Sequence, residues 1–119
     1  MTTDALAVAR DYHDGWASKN YHRAIALLSP QLEVEVPIND YPTRDAFAAA
    51  VQGFGELVTD VDLISTMSVG NEAMLLYDMR VEGLGELRVV EHFTIANGKI
   101  VKLRQIHDTA PIRAAGLGA

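Results

Sequence analysis

The sequence predicts an α+β domain in which three N-terminal helices cover one face of a curved antiparallel sheet. Helical spacing of apolar residues is confined to the first half of the chain, and strand-like alternation fills the second. Asn97-Gly98 adds a tight turn between two β-branched-rich runs. Helices followed by a run of strands is the pattern of α+β folds rather than of alternating α/β ones. The 119 residues fit a single domain, residues 1–119, with no room for a second.

Thr2-Thr3-Asp4 offers N-caps, and Ala5, Ala9, Tyr12 and Trp16 then recur at helical spacing, which predicts a first helix over residues 4–17. Asn20 caps a short second helix running to Leu28, with Ala24, Leu27 and Leu28 as its stripe and Ser29-Pro30 as its end. In residues 32–36, LEVEV, apolar residues and glutamates alternate, as in a half-exposed strand closed by Pro37. The loop INDYP follows; its Asn and Pro suit a turn, and Asp40 could alternatively close a pocket mouth. Thr43 caps a third helix whose buried stripe is Phe47, Ala50, Val51, Phe54 and Leu57, loosened at its end by Gly53 and Gly55. Residues 61–69, 73–81 and 86–108 then read as strands joined by turns at Gly70-Asn71, Gly83–Gly85 and Asn97-Gly98. The tail AAGLGA, residues 114–119, is expected to be frayed.

Composition excludes several functions. The chain has no cysteine, so disulfides, thiolate metal sites and cysteine nucleophiles are absent. A formal charge of −6, with ten scattered basic residues, argues against nucleic-acid or anionic-membrane partners, which require clustered Lys and Arg. No signal peptide and no apolar run of membrane-spanning length occurs, so a cytoplasmic protein is expected. His13 and His22 have no acidic or histidine partner at metal-ligand spacing, and no Gly-rich phosphate loop exists, so neither a metal nor a cofactor is implied.

The last hairpin carries the candidate chemistry. A two-residue type I′ turn at Asn97-Gly98 pairs Ala96 with Lys99, Ile95 with Ile100, His92 with Leu103, Glu91 with Arg104 and Arg88 with His107. His92, Leu103, Gln105 and His107 then share one face, and Glu91, Phe93, Lys102 and Arg104 share the other. A one-residue bulge would exchange these sets on one strand, so Glu91 and His92 compete for the same inward position.

The order helix, helix, strand, helix, four-stranded meander, with LLSPQLEVEVP early and EHFTIANGKIVKLRQIHDTA late, resembles the nuclear-transport-factor-2-like superfamily in its SnoaL-like and ketosteroid-isomerase-like branch. The resemblance spans nearly the whole chain and implies a cone-shaped, cystatin-like fold. It does not imply one reaction, because members include isomerases, polyketide cyclases, epoxide hydrolases, dehydratases and inactive binding modules. The ketosteroid isomerases end their first strand V-E-D-P, with the aspartate as general base; here Val36 stands at that position. Tyr12 matches the family's oxyanion-hole tyrosine. The family's second oxyanion donor aligns with Val90, or with Glu91 if one gap is allowed. Steroid isomerisation by that mechanism is therefore not expected.

Candidate catalytic residues are His107, His92, Glu91 and Tyr12. Two imidazoles can exchange protons near neutrality; the plain alternative is that they are hydrogen-bonded sheet or interface histidines. Glu91 most simply makes a cross-strand ion pair with Arg104, worth about 0.2–1 kcal/mol. Turned inward, it becomes a general acid with a raised pKa, the role carboxylates hold at the matching position in SnoaL-like cyclases. Tyr12 would polarise a substrate oxygen. Trp16, Phe54, Leu103 and Gln105 are the candidate ligand-binding residues, with Met79 or Tyr77 as further wall, although Tyr12 and Trp16 equally suit plain core.

The reading is a homodimer whose sheet and first and third helices enclose an apolar pocket for a hydrophobic small molecule. Its chemistry would be cofactor-independent acid–base catalysis on a carbonyl, polyketide-like or epoxide compound. The alternatives are a non-catalytic binding module, favoured by Val36, and a dimeric interaction module in which Glu91, Lys102 and Arg104 form the subunit contact.

Overall fold

The computed structural model describes residues 4–116; the expected caps Thr2 and Thr3, and the tail beyond residue 116, lie outside them. In order, the chain forms α1 (Ala5–Ala17), α2 (Tyr21–Ile25), β1 (Leu28–Glu35), α3 (Arg44–Gly55), β2 (Val58–Val69), β3 (Glu72–Val81), β4 (Gly85–Ala96), β5 (Lys99–His107) and α4 (Ala110–Ala114).

The helices start where their caps allow. The Asp4 carboxylate accepts from the Leu6 amide at 3.1 Å, Asn20 accepts from the Arg23 amide at 3.4 Å, and Thr43 accepts from the Ala46 amide at 3.1 Å. After α1 the chain reverses through Lys19 at φ 65°. That conformation aims the Lys19 ammonium at the end of α3, where it donates to the carbonyls of Gly55 at 2.6 Å and Val58 at 3.1 Å. Carbonyls at a helix end have no intrahelical donor, and this lysine supplies one. The second helix is shorter than its stripe suggested. Leu28, Ser29 and Pro30 belong to β1, because Leu28 pairs with Ile100 and is fully buried there.

The five strands form one sheet in the order β1-β5-β4-β3-β2. β1 runs parallel to β5 and the other neighbours are antiparallel. β1 and β2 therefore occupy opposite edges, and the chain passes from one to the other through α3. On the covered face, α1 packs against β2, β3, β4 and β5, and α3 packs against β1. The core between them holds Ala9, Tyr12, Leu28, Leu75, Val89, Phe93, Ile100 and Leu103. A short fourth helix, absent from the sequence expectation, begins at Ala110, whose amide is bound by the Asp108 carboxylate at 2.9 Å. It carries the buried Ile112 back against the core.

The β4–β5 register departs from strict counting. Ala96 and Ile95 pair with Lys99 and Ile100 as expected, but Val101 then has no partner in the ladder. Beyond it Thr94 pairs with Lys102, Phe93 with Leu103, His92 with Arg104, Glu91 with Gln105 and Val89 with His107. The expected pairs His92–Leu103, Glu91–Arg104 and Arg88–His107 do not form. Burial explains the bulge. Strict pairing with Phe93 and Ile95 inward would bury Lys102 and Arg104 and expose Leu103. Strict pairing with His92 inward would instead expose Phe93 and Val89. The extra residue puts Val89, Phe93 and Leu103 inside together, and sends Lys102 and Arg104 outward to Glu33 and Glu35. Burying an unpaired cation costs several kcal/mol, far more than one irregular ladder step.

Candidate active site

Between the sheet, α1, α3 and α4 lies a cavity of about 170 Å³. Most of its wall is apolar: Trp16 from α1, Phe47, Val51 and Phe54 from α3, Met79 from β3 and Ile112 from α4. The loop after β1 supplies Ile38, Asn39 and Tyr41. Asn39 holds a positive φ of 70°, a conformation asparagine tolerates better than most residues. Asp40 between them is exposed and does not line the cavity, in keeping with the turn reading.

Glu91 reaches this cavity from β4 and is only 1% exposed. Each carboxylate oxygen has one neutral donor. The Tyr77 hydroxyl donates to Oε1 at 3.1 Å, and the Gln105 amide donates to Oε2 at 2.8 Å. Tyr77 is opposite Val89, two residues from Glu91 along β4 and on the same face, while Gln105 is directly opposite Glu91 across the bulged ladder. Burial pushes the Glu91 carboxyl up to about 7, and the two donors, which favour the charged form, limit the rise. The same burial, reinforced by Glu91's charge, holds the Tyr12 and Tyr77 hydroxyls well above their usual range. Both therefore remain phenols, able to donate.

The sequence candidates separate cleanly. Tyr12, Trp16, Phe54, Glu91, Gln105 and His107 all line the cavity. Leu103 is fully buried in the core beside it and is not part of the wall. His92 points to the opposite face of the sheet, where its Nε2 lies 2.8 Å from the Glu72 carboxylate; its expected inward position belongs to Glu91. The expected Glu91–Arg104 ion pair is likewise replaced, since Arg104 binds Glu35 at 2.9 Å. This removes Glu91 from any contact through the outer face. His107 Nδ1 lies 3.0 Å from the Asp108 carbonyl. A carbonyl only accepts, so Nδ1 carries the hydrogen and neutral His107 keeps Nε2 as its basic nitrogen. Tyr77 was named in sequence only as a possible wall; its role as a donor to Glu91 required knowing the register.

His13 contributes from behind the wall. It is buried, its ring lies 4.8 Å from that of Tyr77 and 5.2 Å from that of Trp16, and its Nδ1 has no hydrogen-bond partner. Burial pulls its pKa below the usual histidine value, so it packs as a neutral ring.

A curved, open sheet wrapped by helices around an apolar cavity, with Glu91 the single buried carboxylate among the described residues, defines a class of small-molecule pocket proteins. Residues 9–103 match the model of the SnoaL-like domain, and the chain belongs to that family, within the nuclear-transport-factor-2-like superfamily. No curated protein matches the chain. Among solved structures, a protein from Kribbella flavida is 26% identical, with 97% of this chain and 95% of that one covered at a TM-score of 0.89. A steroid delta-isomerase from Pseudomonas aeruginosa is 18% identical over 98% and 88% of the two chains, TM-score 0.79. A protein with a cystatin-like fold from Silicibacter pomeroyi is 18% identical over 92% and 82%, TM-score 0.78. The last two share the fold. Among the described residues, no helix is long and apolar enough to cross a membrane.

Proposed function

We propose that the protein is a cofactor-independent acid–base enzyme acting on a hydrophobic carbonyl, polyketide-like or epoxide compound, by isomerisation, cyclisation, dehydration or hydrolysis. The observation that carries this reading is Glu91: a carboxyl in an apolar cavity, held by Tyr77 and Gln105, that titrates at about 7. A group so poised is about half protonated at neutral pH and can give or take a proton.

In the acid form, Glu91 donates its proton to a substrate oxygen, with the Tyr12 phenol as a second donor toward that oxygen. Nε2 of His107 accepts the proton released from carbon or from water. In an isomerisation it passes that proton to the new carbon position while Glu91 takes its own back from the substrate oxygen; in a hydrolysis or dehydration it passes the proton to Glu91, so both groups regain their starting states. Tyr77 and Gln105 stabilise the Glu91 carboxylate left behind. The apolar wall excludes water and binds the substrate skeleton. Turnover of a panel of cyclic enones, β-diketones and epoxides tests this, with pH–rate profiles for any substrate found. The expected profile bends near pH 7, and both Glu91→Gln and His107→Asn are expected to lower kcat at least about tenfold. Undiminished turnover in the Glu91→Gln variant would overturn the assignment.

Val36 supports a second reading. It lines the cavity at the position where the resembling isomerases carry their base, and a valine transfers no proton. A binding module would then take the same ligands, with saturable thermal stabilisation and no turnover. A homodimer, proposed for the same protein, draws support from the outer sheet face, where Met67, Met74 and Ile106 remain exposed. Sedimentation velocity at micromolar concentration tests it.

A further inference from the structure

The cavity is unusually one-sided in charge. Six aromatic residues line it: Tyr12, Trp16, Tyr41, Phe47, Phe54 and Tyr77. Among the described residues, Glu91 is the sole acidic residue of the wall, and no lysine or arginine joins it. The nearest lysine in sequence to this end of α3, Lys19, is occupied by two backbone carbonyls. Glu91 is thus a buried carboxylate whose partners, Tyr77 and Gln105, are both neutral.

A buried carboxylate held by neutral donors alone lacks its counter-charge, and aromatic rings attract cations through their electron-rich faces. We propose that this cavity also binds compact hydrophobic amines as protonated cations, with the Glu91 carboxylate as counter-ion and the aromatic wall around the ammonium-bearing skeleton. This rests on the placement of Glu91 that underlies the proposed acid–base function, and it names a second ligand class for the same site. Carbonyl ligands need the acid form of Glu91, whereas ammonium ligands need its carboxylate. Anionic ligands are excluded because their charge would face Glu91 in a wall without a compensating cation.

The opposite requirements give opposite pH dependences. Since Glu91 titrates at about 7, raising the pH from 6 to 8 raises the carboxylate fraction about tenfold and lowers the acid fraction about tenfold. Other titratable groups on this side of the sheet are the Tyr12 and Tyr77 phenols, which stay neutral, His13 behind Tyr77, and His107 on β5. The titration is repeated in His107→Asn to separate the contribution of that ring from that of Glu91.

The probes are benzylamine, which is protonated throughout this pH range, its neutral analogue benzyl alcohol, the acceptor acetophenone, and benzoate, each titrated calorimetrically at pH 6 and 8. Benzylamine is expected to tighten about tenfold between pH 6 and 8, to exceed benzyl alcohol at pH 8, and to lose about 10- to 100-fold in Glu91→Gln, with benzoate failing to bind. Benzylamine binding no tighter than benzyl alcohol at pH 8, or weakening as pH rises, overturns the proposal. Acetophenone that still binds more weakly with rising pH then leaves the acid–base reading standing. If none of the four binds at millimolar concentration, both fall. Should Glu91→Gln fail to fold, the pH dependence of the wild-type protein decides alone.

Discussion

Replacing Glu91 with glutamine tests the protonation state of the cavity through stability, without a substrate. Between pH 4.5 and 7 the unfolded chain has released this proton while the folded chain still holds it. The folded state binds more protons there, so its stability falls as pH rises, and the loss is complete above pH 7. A carboxyl moved from the ordinary 4.5 to about 7 makes the folded state about 3 kcal/mol less stable at pH 8 than at pH 4, at about 1.4 kcal/mol per tenfold change in proton affinity. Glutamine removes this term and keeps the shape. Its amide oxygen can accept from Gln105, and the Tyr77 hydroxyl can rotate to accept from its amide nitrogen. Urea unfolding followed by fluorescence of Trp16, the chain's one tryptophan, should give nearly equal stabilities for the two proteins at pH 4.5. At pH 8 the variant should be more stable by up to about 3 kcal/mol. His13 acts with the opposite sign: its lowered pKa means that stability is lost as pH falls below its unfolded value of about 6.5. It is present in both proteins and cancels in the difference. A wild-type-minus-variant difference that stays flat from pH 4.5 to 8 would refute the buried, proton-binding carboxyl.

Three further outcomes follow from the same geometry. Tyr77→Phe removes a donor that favours the Glu91 carboxylate, so the Glu91 midpoint, followed by carbon NMR of the carboxyl, should move above 7; a downward move would contradict the network. Gly55→Ala would place a Cβ 2.6 Å from the Tyr21 hydroxyl oxygen. Overpacking of this kind should cost about 1–3 kcal/mol in chemical denaturation, and a Tyr21→Leu partner substitution should make the two losses less than additive; strict additivity would deny the contact. His92→Asn, on the face away from the cavity, should leave calorimetric affinity for acetophenone within about twofold of wild type, and a larger loss would return His92 to the site.

Element order was readable because each element announces itself locally. Asn20 and Thr43 are caps with free side-chain acceptors, and Asn97-Gly98 adopts the positive φ values, 53° and 75°, that its turn demands. Leu28 misled because an apolar residue at the end of a helical stripe looks the same as the first residue of a buried strand; its partner, Ile100, is 72 residues away. The parallel β1–β5 pairing has no local signature. Nor does α4, whose five residues are too few for a periodic pattern and which packs through Ile112 alone among its buried residues.

The site was legible to within one bulge. Spacing together with the family resemblance points Tyr12, Trp16, Phe54, Gln105 and His107 to the cavity that they line, and points Leu103 there too although it lies in the core. The choice between Glu91 and His92 stays open in sequence because counting from the turn favours one and precedent favours the other. A signal was present in the sequence. Val89, Phe93 and Ile95 fall on one parity, whereas Ile100 and Leu103 are three apart, so both can face inward only if one residue between them is skipped. Arg104 opposite an inward Phe93-Glu91 stretch makes the same point, because its guanidinium belongs outside with Glu35.

Val101 has a consequence for how chains of this kind can change length. It is the residue on β5 left over when β4 is matched against it, and Ile100, Lys102 and Leu103 alternate correctly once it is removed. A single-residue deletion at this point should therefore be absorbed by straightening the strand, with the same side chains at the floor. The same deletion after Leu103 would exchange Gln105 and His107 for their neighbours, altering the pocket floor at once without any amino-acid replacement. Val101 serves the hairpin as slack: the chain can shorten here and keep its site.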